Sequence, residues 1–345
     1  MPTPISRLPA SAYSRAADPR PIDLRLDANE GAGPTPEFLD VLRPSRDAVM
    51  SYPSARALEA EIASDEGIAP ERVIVTAGAD DALERICRAY LEPGREVILT
   101  DPTFEMLPRF SSLCGADIRA ATWRNGPYPL ARAMELLSPR TAAVFVVSPN
   151  NPTGLTATEA DVRTLCEAAP DAIIVLDHAY IEFADEDIGP KVRHLPNLVI
   201  TRTFSKAWGL AGLRIGYAEG PAAVIHGLRS AGLPYTTSGL SLEIVRRWRR
   251  EGRSATAAFI SGVRRERALL IECLRGAGAE CSDSQGNFVF ARFRDAAFTA
   301  DCLAGLGIAV RRYGGALADS LRITVPADPA SGERLRAALR AALRP

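Results

Sequence analysis

Histidine is scarce in this chain. The three residues, at 178, 194 and 226, stand at no spacing that would let two share a metal ion. Cysteine occurs six times (Cys87, Cys114, Cys166, Cys273, Cys281 and Cys302) but never as Cys-x-x-Cys, which removes metal-ribbon and redox-motif readings. Four of the six fall in apolar helical patterns, where a free thiol behaves as a small hydrophobe. An excess of one charge is missing as well. With 41 Lys and Arg against 42 Asp and Glu, the formal net charge is −1, which excludes the basic face of a nucleic-acid binder. The arginine runs Arg246-Arg247-Trp248-Arg249-Arg250 and Arg264-Arg265-Glu266-Arg267 sit in helical patterns and are expected on solvated faces. No stretch approaches the roughly 18 consecutive apolar residues of a membrane span. Nor does the N-terminus show a charged start followed by an apolar run. A cytoplasmic, reduced protein with no membrane or nucleic-acid partner is expected.

What is present is a core-forming chain of 345 residues, 47% hydrophobic, long enough for two domains. From residue 72 to about 230, short apolar runs alternate with helical patterns. The runs Arg72–Thr76, Glu96–Thr100, Ala142–Ser148, Ala172–Asp177 and Leu198–Thr201 are continuous rather than alternating. Continuity implies strands covered on both faces, hence an α/β architecture with a mostly parallel sheet flanked by helices. Ligands gather at the carboxyl ends of such strands. Polar residues stand at those ends: Gly78-Ala79-Asp80, Asp101-Pro102-Thr103-Phe104, Ser148 to Gly154, Asp177, and Ser205-Lys206. Beyond residue 235, long amphipathic stretches and short strand-like runs predict a smaller α+β domain. The Pro-rich opening, residues 1–30, is expected to pack as an arm on that domain or on a partner subunit. The predicted division is therefore 1–30, 31–234 and 235–345.

The most informative run is Thr203 to Arg214, which sets Lys206 among Phe204, Trp208 and Leu210, before a glycine-rich bend. A buried ammonium is costly unless paired or deprotonated, and desolvation lowers its pKa. That suits a lysine to attack an aldehyde and form a Schiff base. If the aldehyde belonged to an aromatic phosphate, its phosphate would need helix-start N–H groups, which Gly78-Ala79-Asp80 offers. Ser205 and Arg214 could add hydroxyl and guanidinium donors. A ring nitrogen would need a buried carboxylate such as Asp177 to stay protonated. A phenolic oxygen would need donors such as Asn151 and Tyr180, and Phe104 could stack on the ring. Taken singly, each has a plainer reading. A lone lysine is usually solvated, a strand-end aspartate usually caps a turn, a phenylalanine usually packs in the core, and Asn-Pro-Gly stretches are usually turns. Their joint order at one sheet edge favours the chemical reading.

The chain resembles the fold-type I, pyridoxal-phosphate-dependent aminotransferases, and within them the histidinol-phosphate aminotransferase family. The resemblance rests on Leu26-Asp27-Ala28-Asn29-Glu30, Tyr52-Pro53, Gly78 to Asp81, Asp101 to Phe104, Ser148 to Gly154 and Asp177 to Phe183. It continues through Arg202 to Tyr217, Asn287-Phe288, Gly307 to Arg311 and Leu321 to Thr324. It implies a large domain with a seven-stranded, mostly parallel sheet, a smaller α+β domain, and pyridoxal 5'-phosphate as cofactor. It implies Lys206 as the Schiff-base lysine and proton shuttle, Asp177 at the ring nitrogen, and Asn151 and Tyr180 at the phenolic oxygen. Gly78, Ala79, Asp80, Ser205 and Arg214 would hold the phosphate. Tyr52 would reach the cofactor of a neighbouring subunit, which implies a homodimer with shared sites. Arg322 and Arg311 would take the acidic end of the substrate, with Asn29 and Tyr13 also on the substrate side.

Two positions depart from the family pattern. His178 stands where glutamate is usual, and strand alternation points it away from the side Asp177 serves. The loop Gly31-Ala32-Gly33-Pro34 lacks an aromatic that relatives carry nearby, leaving substrate choice open. The expected activity is transamination of L-histidinol phosphate with 2-oxoglutarate. The alternatives are an aromatic or other amino-acid aminotransferase, a decarboxylase resembling threonine-phosphate decarboxylase, or a non-catalytic cofactor-binding protein.

Overall fold

The computed structural model describes residues 19–343; Tyr13 lies outside the described residues. Among the described residues, twelve strands form two sheets. In chain order they are β1 (Leu24–Leu26), β2 (Val73–Thr76), β3 (Glu96–Asp101), β4 (Asp117–Thr122), β5 (Thr141–Val147) and β6 (Ile173–Asp177). The rest are β7 (Leu198–Thr203), β8 (Gly216–Glu219), β9 (Glu280–Cys281), β10 (Phe288–Arg292), β11 (Ile308–Arg312) and β12 (Ser320–Thr324). The large sheet has the order β2-β8-β7-β6-β5-β3-β4, with β8 antiparallel to both neighbours and the remaining pairs parallel.

The continuous apolar runs become the sheet centre because helices cover both faces. Ile173 and Val175 pack with Leu83, Ile86 and Phe110, whereas Ile174 and Leu176 pack with Val162 and Leu165. This alternation places Asp177 on the Val175 face and the following residue, His178, on the opposite one. Helix Gly78–Tyr90 buries Ala79, Ala82, Leu83, Ile86 and Cys87, the spacing of one helical face. Two strands of this sheet gave no clear apolar run. β4 is an edge strand whose residues are mostly exposed, and β8 is only the tetrapeptide Gly-Tyr-Ala-Glu.

The small sheet has the order β1-β11-β12-β10-β9. β1 joins it parallel to β11, and the other pairs are antiparallel. The long helix Arg253–Gly276 and the helix Pro329–Ala342 pack against it through Val263, Leu270, Leu335 and Leu339. Helix Gly239–Glu251 instead buries Leu242, Val245 and Trp248 among Val73, Val75 and Phe204 of the large sheet.

The arginine runs are solvated only in part: Arg250, Arg264 and Arg265 are exposed, whereas others are bonded to neighbouring elements. Arg246 pairs with Glu61 at 2.6 Å, and the buried Arg249 pairs with Asp65 at 3.0 Å. Arg267, also buried, donates to the carbonyl oxygens of Phe183 and Gly286 at 3.0 and 2.9 Å. These helices face acidic helix surfaces and loop carbonyls, so the apolar stems bury while the guanidinium groups stay bonded. No helix among the described residues is long and apolar enough to cross a membrane.

The core argument is checked at Phe145, which is fully enclosed on β5. Phe145→Ala is expected to cost about 3–5 kcal/mol. In urea melts this appears as a lower midpoint with an unchanged slope.

Candidate active site

The carboxyl edge of the large sheet opens onto a cavity of about 280 Å³. Ala79 and Asp80 reach it from the helix start after β2, and Phe104 from the loop after β3. Asn151 reaches it from the loop after β5, Asp177 from the end of β6, Tyr180 from just beyond it, and Ser205, Lys206 and Arg214 from beyond β7. Sequence reasoning thus found most of the lining. It missed Leu83, Met106, Val147, Ala179 and Thr203.

Asp177 accepts hydrogen bonds from Thr201 Oγ1 at 2.9 Å and from the Ala179 N–H at 3.2 Å. No Lys, Arg or His among the described residues lies in ion-pair range of it, and burial pushes its carboxyl up to about 6. An anion held this way is suited to a ligand N–H. Lys206 donates from Nζ to the Ala28 carbonyl at 3.2 Å and lies 5.6 Å from the Tyr180 ring centroid. Burial, helped by the Arg322 charge, pushes its ammonium down to about 8. Thr201 was legible in principle, since it sits on the same face of β7 as Thr203, next to the Asp177 strand.

A candidate anion cup combines backbone N–H groups with the Ser205 and Arg214 side chains. Helix Gly78–Tyr90 starts at the cavity, so its first N–H groups lack intrahelical acceptors. Gly78 has φ +80°, and a Cβ there would lie 2.6 Å from Arg214 Nη2. Only glycine both takes this conformation and lets the guanidinium approach. Arg214 donates to Ser205 Oγ at 3.4 Å and to Asp80 Oδ2 at 3.1 Å, while Thr203 Oγ1 donates to Ser205 Oγ at 3.0 Å.

The residues expected on the substrate side are placed differently from one another. Arg322 donates to Asn151 Oδ1 at 2.6 Å and to the Asp27 carbonyl at 3.0 Å. Arg311 lies directly across the sheet from Arg322 and pairs with Glu105 at 2.8 Å. Asn29 is fully buried behind Tyr180 and is not on the cavity wall; it donates to Tyr180 Oη at 3.2 Å. Tyr52 points outward, 80% exposed, and stacks on Tyr235 at 4.5 Å. His178 is buried on the far face, its Nδ1 3.6 Å from Asp187. The segment after β1 crosses the Lys206 loop so closely that a Cβ on Gly209 (φ +66°) would lie 2.0 Å from Gly33 N.

Residues 30–340 match the sequence profile of the family described as aminotransferase class I and II. The chain belongs to that family. Among its relatives is a histidinol-phosphate aminotransferase of Paracoccus denitrificans, 34% identical over 90% of this chain and 87% of the relative. Another, of the same description, from Jannaschia sp., is 34% identical over 96% of this chain and 93% of the relative. The crystal structure of histidinol-phosphate aminotransferase from Sinorhizobium meliloti in complex with pyridoxal-5'-phosphate superposes with a TM-score of 0.80. It is 24% identical and covers 94% of this chain and 91% of its own. The aminotransferase fold therefore extends over nearly the whole described chain.

The lowered Lys206 ammonium makes a stability prediction for protein stripped of small molecules. Its pKa falls from the ordinary lysine value when the chain folds, so the unfolded state binds the proton more tightly. Lys206→Met is therefore expected to stabilise the protein at pH 7, by on the order of 2 kcal/mol. The gain should shrink as pH rises from about 8 toward about 10.5, where unfolded lysine also loses its proton. Thermal melts across that range check the sign and the window.

Proposed function

We propose that this aminotransferase moves an amino group from L-histidinol phosphate to 2-oxoglutarate, giving imidazole acetol phosphate and L-glutamate, with pyridoxal 5'-phosphate as cofactor. The observation that carries the reading is the shared cavity: an amine at Lys206, a carboxylate at Asp177 and an anion cup at Ala79, Asp80, Ser205 and Arg214 all open onto it, with Gly78 packed against the Arg214 guanidinium. The donor set fits the cofactor group by group. The cup would take the phosphate, Asp177 the ring nitrogen, Asn151 and Tyr180 the phenolic oxygen, and Phe104 would lie against the ring. When bound, the cofactor supplies an electron-withdrawing ring that stabilises negative charge at the carbon bearing the amino group.

The protein's own part is positioning and proton transfer. Lys206 Nζ, with its pKa at about 8, gives and takes a proton close to neutral pH and serves the donor's α carbon. Asp177, held by Thr201 and Ala179, keeps its charge directed into the cavity. Arg322 and Arg311 present two guanidinium groups on one face of the small sheet. Such a pair suits a phosphate or carboxylate, which guanidinium binds in bidentate fashion. The apolar walls Leu83, Met106 and Val147 keep water away from the reacting atoms.

The working unit in this proposal is a cytoplasmic homodimer. Tyr52 reaches outward and is read as contributing to the neighbouring copy's cofactor site. The chain is divided into an arm (1–30), a large domain (31–234) and a small domain (235–345), with helix Gly239–Glu251 packed back on the large sheet.

Single-turnover absorbance of the cofactor-loaded protein tests the reading. L-Histidinol phosphate should discharge the visible band faster than L-phenylalanine or L-tyrosine. Lys206→Ala should slow that step by roughly a thousandfold or more. Faster discharge by an aromatic amino acid would overturn the substrate assignment, and carbon dioxide release without a keto-acid requirement would overturn the reaction class.

A further inference from the structure

Asn29 is the most densely bonded polar residue near the cavity that does not line it. It is fully buried and sits at φ +56°, a left-handed conformation that asparagine takes more readily than most side chains. Its backbone N–H donates to Thr324 Oγ1 at 3.0 Å, and Thr324 Oγ1 donates back to Asn29 Oδ1 at 3.0 Å. Its Nδ2 donates to Tyr180 Oη at 3.2 Å, and its carbonyl accepts from Asn287 Nδ2 at 3.1 Å.

This arrangement has a direction. Thr324 Oγ1 receives the backbone N–H, and its single proton goes to Asn29 Oδ1. Were the amide reversed, Nδ2 would face the hydroxyl in place of Oδ1, and the bond that the Thr324 proton makes to Oδ1 would be lost. The amide is thereby oriented with Nδ2 toward Tyr180. Nδ2 can only donate, so Tyr180 Oη accepts from behind and keeps its own proton for the cavity that it lines. Burial pushes the phenol above its ordinary value, so the proton is present at neutral pH.

We propose that Thr324 and Asn29 form a hydrogen-bond relay that fixes the Tyr180 hydroxyl as a donor into the cavity. Asn29 is then a positioning residue that acts on the cofactor's phenolic oxygen through Tyr180. The inference rests on the cofactor assignment above. It adds a source for the polarity of Tyr180 in the small sheet, since Thr324 ends β12. Asn29 itself does not line the cavity.

The readout is the pH midpoint of the bound cofactor's visible absorbance, taken without substrate. An inward hydroxyl donor favours the deprotonated form at the phenolic oxygen, so losing it raises the midpoint. Asn29→Asp keeps the shape and tolerates the left-handed backbone, but replaces the donor with an acceptor that draws the Tyr180 proton outward. We expect its midpoint to rise by about one pH unit, a tenfold change in proton affinity, as in Tyr180→Phe. Thr324→Val should rise by a smaller amount, and Thr324→Ser should restore the wild-type midpoint. In the Tyr180→Phe background, Asn29→Asp should add nothing. An unmoved midpoint in Asn29→Asp overturns the relay, as does an equal rise that persists without the Tyr180 hydroxyl, since the new charge would then be acting directly. A wild-type protein with no Lys206-dependent visible band would overturn the cofactor assignment itself, and the relay with it.

Discussion

The structure depends on keeping an amine and a carboxylate in one cavity without letting them neutralise each other. Asp177 and Lys206 both open onto the same space, yet they form no ion pair. Two adjacent parallel strands impose this separation. β6 delivers Asp177 at its last residue, while β7 continues to Thr203 before the chain turns to Lys206. Thr201, paired in register with Asp177, occupies the carboxylate with a hydroxyl instead of a cation. Desolvation then moves both groups toward their neutral forms, the acid upward and the amine downward. A direct salt bridge would have reversed both shifts and left neither group available to a ligand.

The same strand alternation that aims these groups into the cavity stores charge behind it. Arg202 lies between Thr201 and Thr203 and points to the opposite face, where it pairs with Asp187 at 2.7 Å. His178 is buried in that region too, and Glu182 is half-buried there. Burial pushes the His178 imidazole down to about 3, so it is neutral beside the Arg202–Asp187 pair. The far-face direction expected for His178 follows from a period of two and needs no further cause.

Much of this was legible because continuous apolar runs and strand-end polar clusters are local properties. β5 and β6 announce themselves by unbroken Val, Ile, Ala and Leu, and the cavity residues follow each run within a few positions. β4 and β8 did not, since an exposed edge strand and a four-residue strand carry no apolar period. The arginine runs misled for a related reason: whether a guanidinium meets water or an acid on another helix is decided by tertiary packing, as Arg249 and Asp65 show. Asn29 carried a motif but not its role, because its partners Thr324, Asn287 and Tyr180 are brought together only by the fold. Backbone contacts, such as Lys206 with the Ala28 carbonyl, leave no trace in residue identity.

The path of residues 24–33 has a mechanical consequence. β1 is hydrogen-bonded into the small sheet, and the peptides that follow it hold Arg322 through the Asp27 carbonyl and Lys206 through the Ala28 carbonyl. One short segment therefore ties a strand of the small sheet to the Lys206 side chain beside the large one, with neighbouring peptide groups bonded to both cations. A shift of β1 along the large sheet would have to lengthen one of these two hydrogen bonds, so the positions of Arg322 and Lys206 are set by the same few peptides.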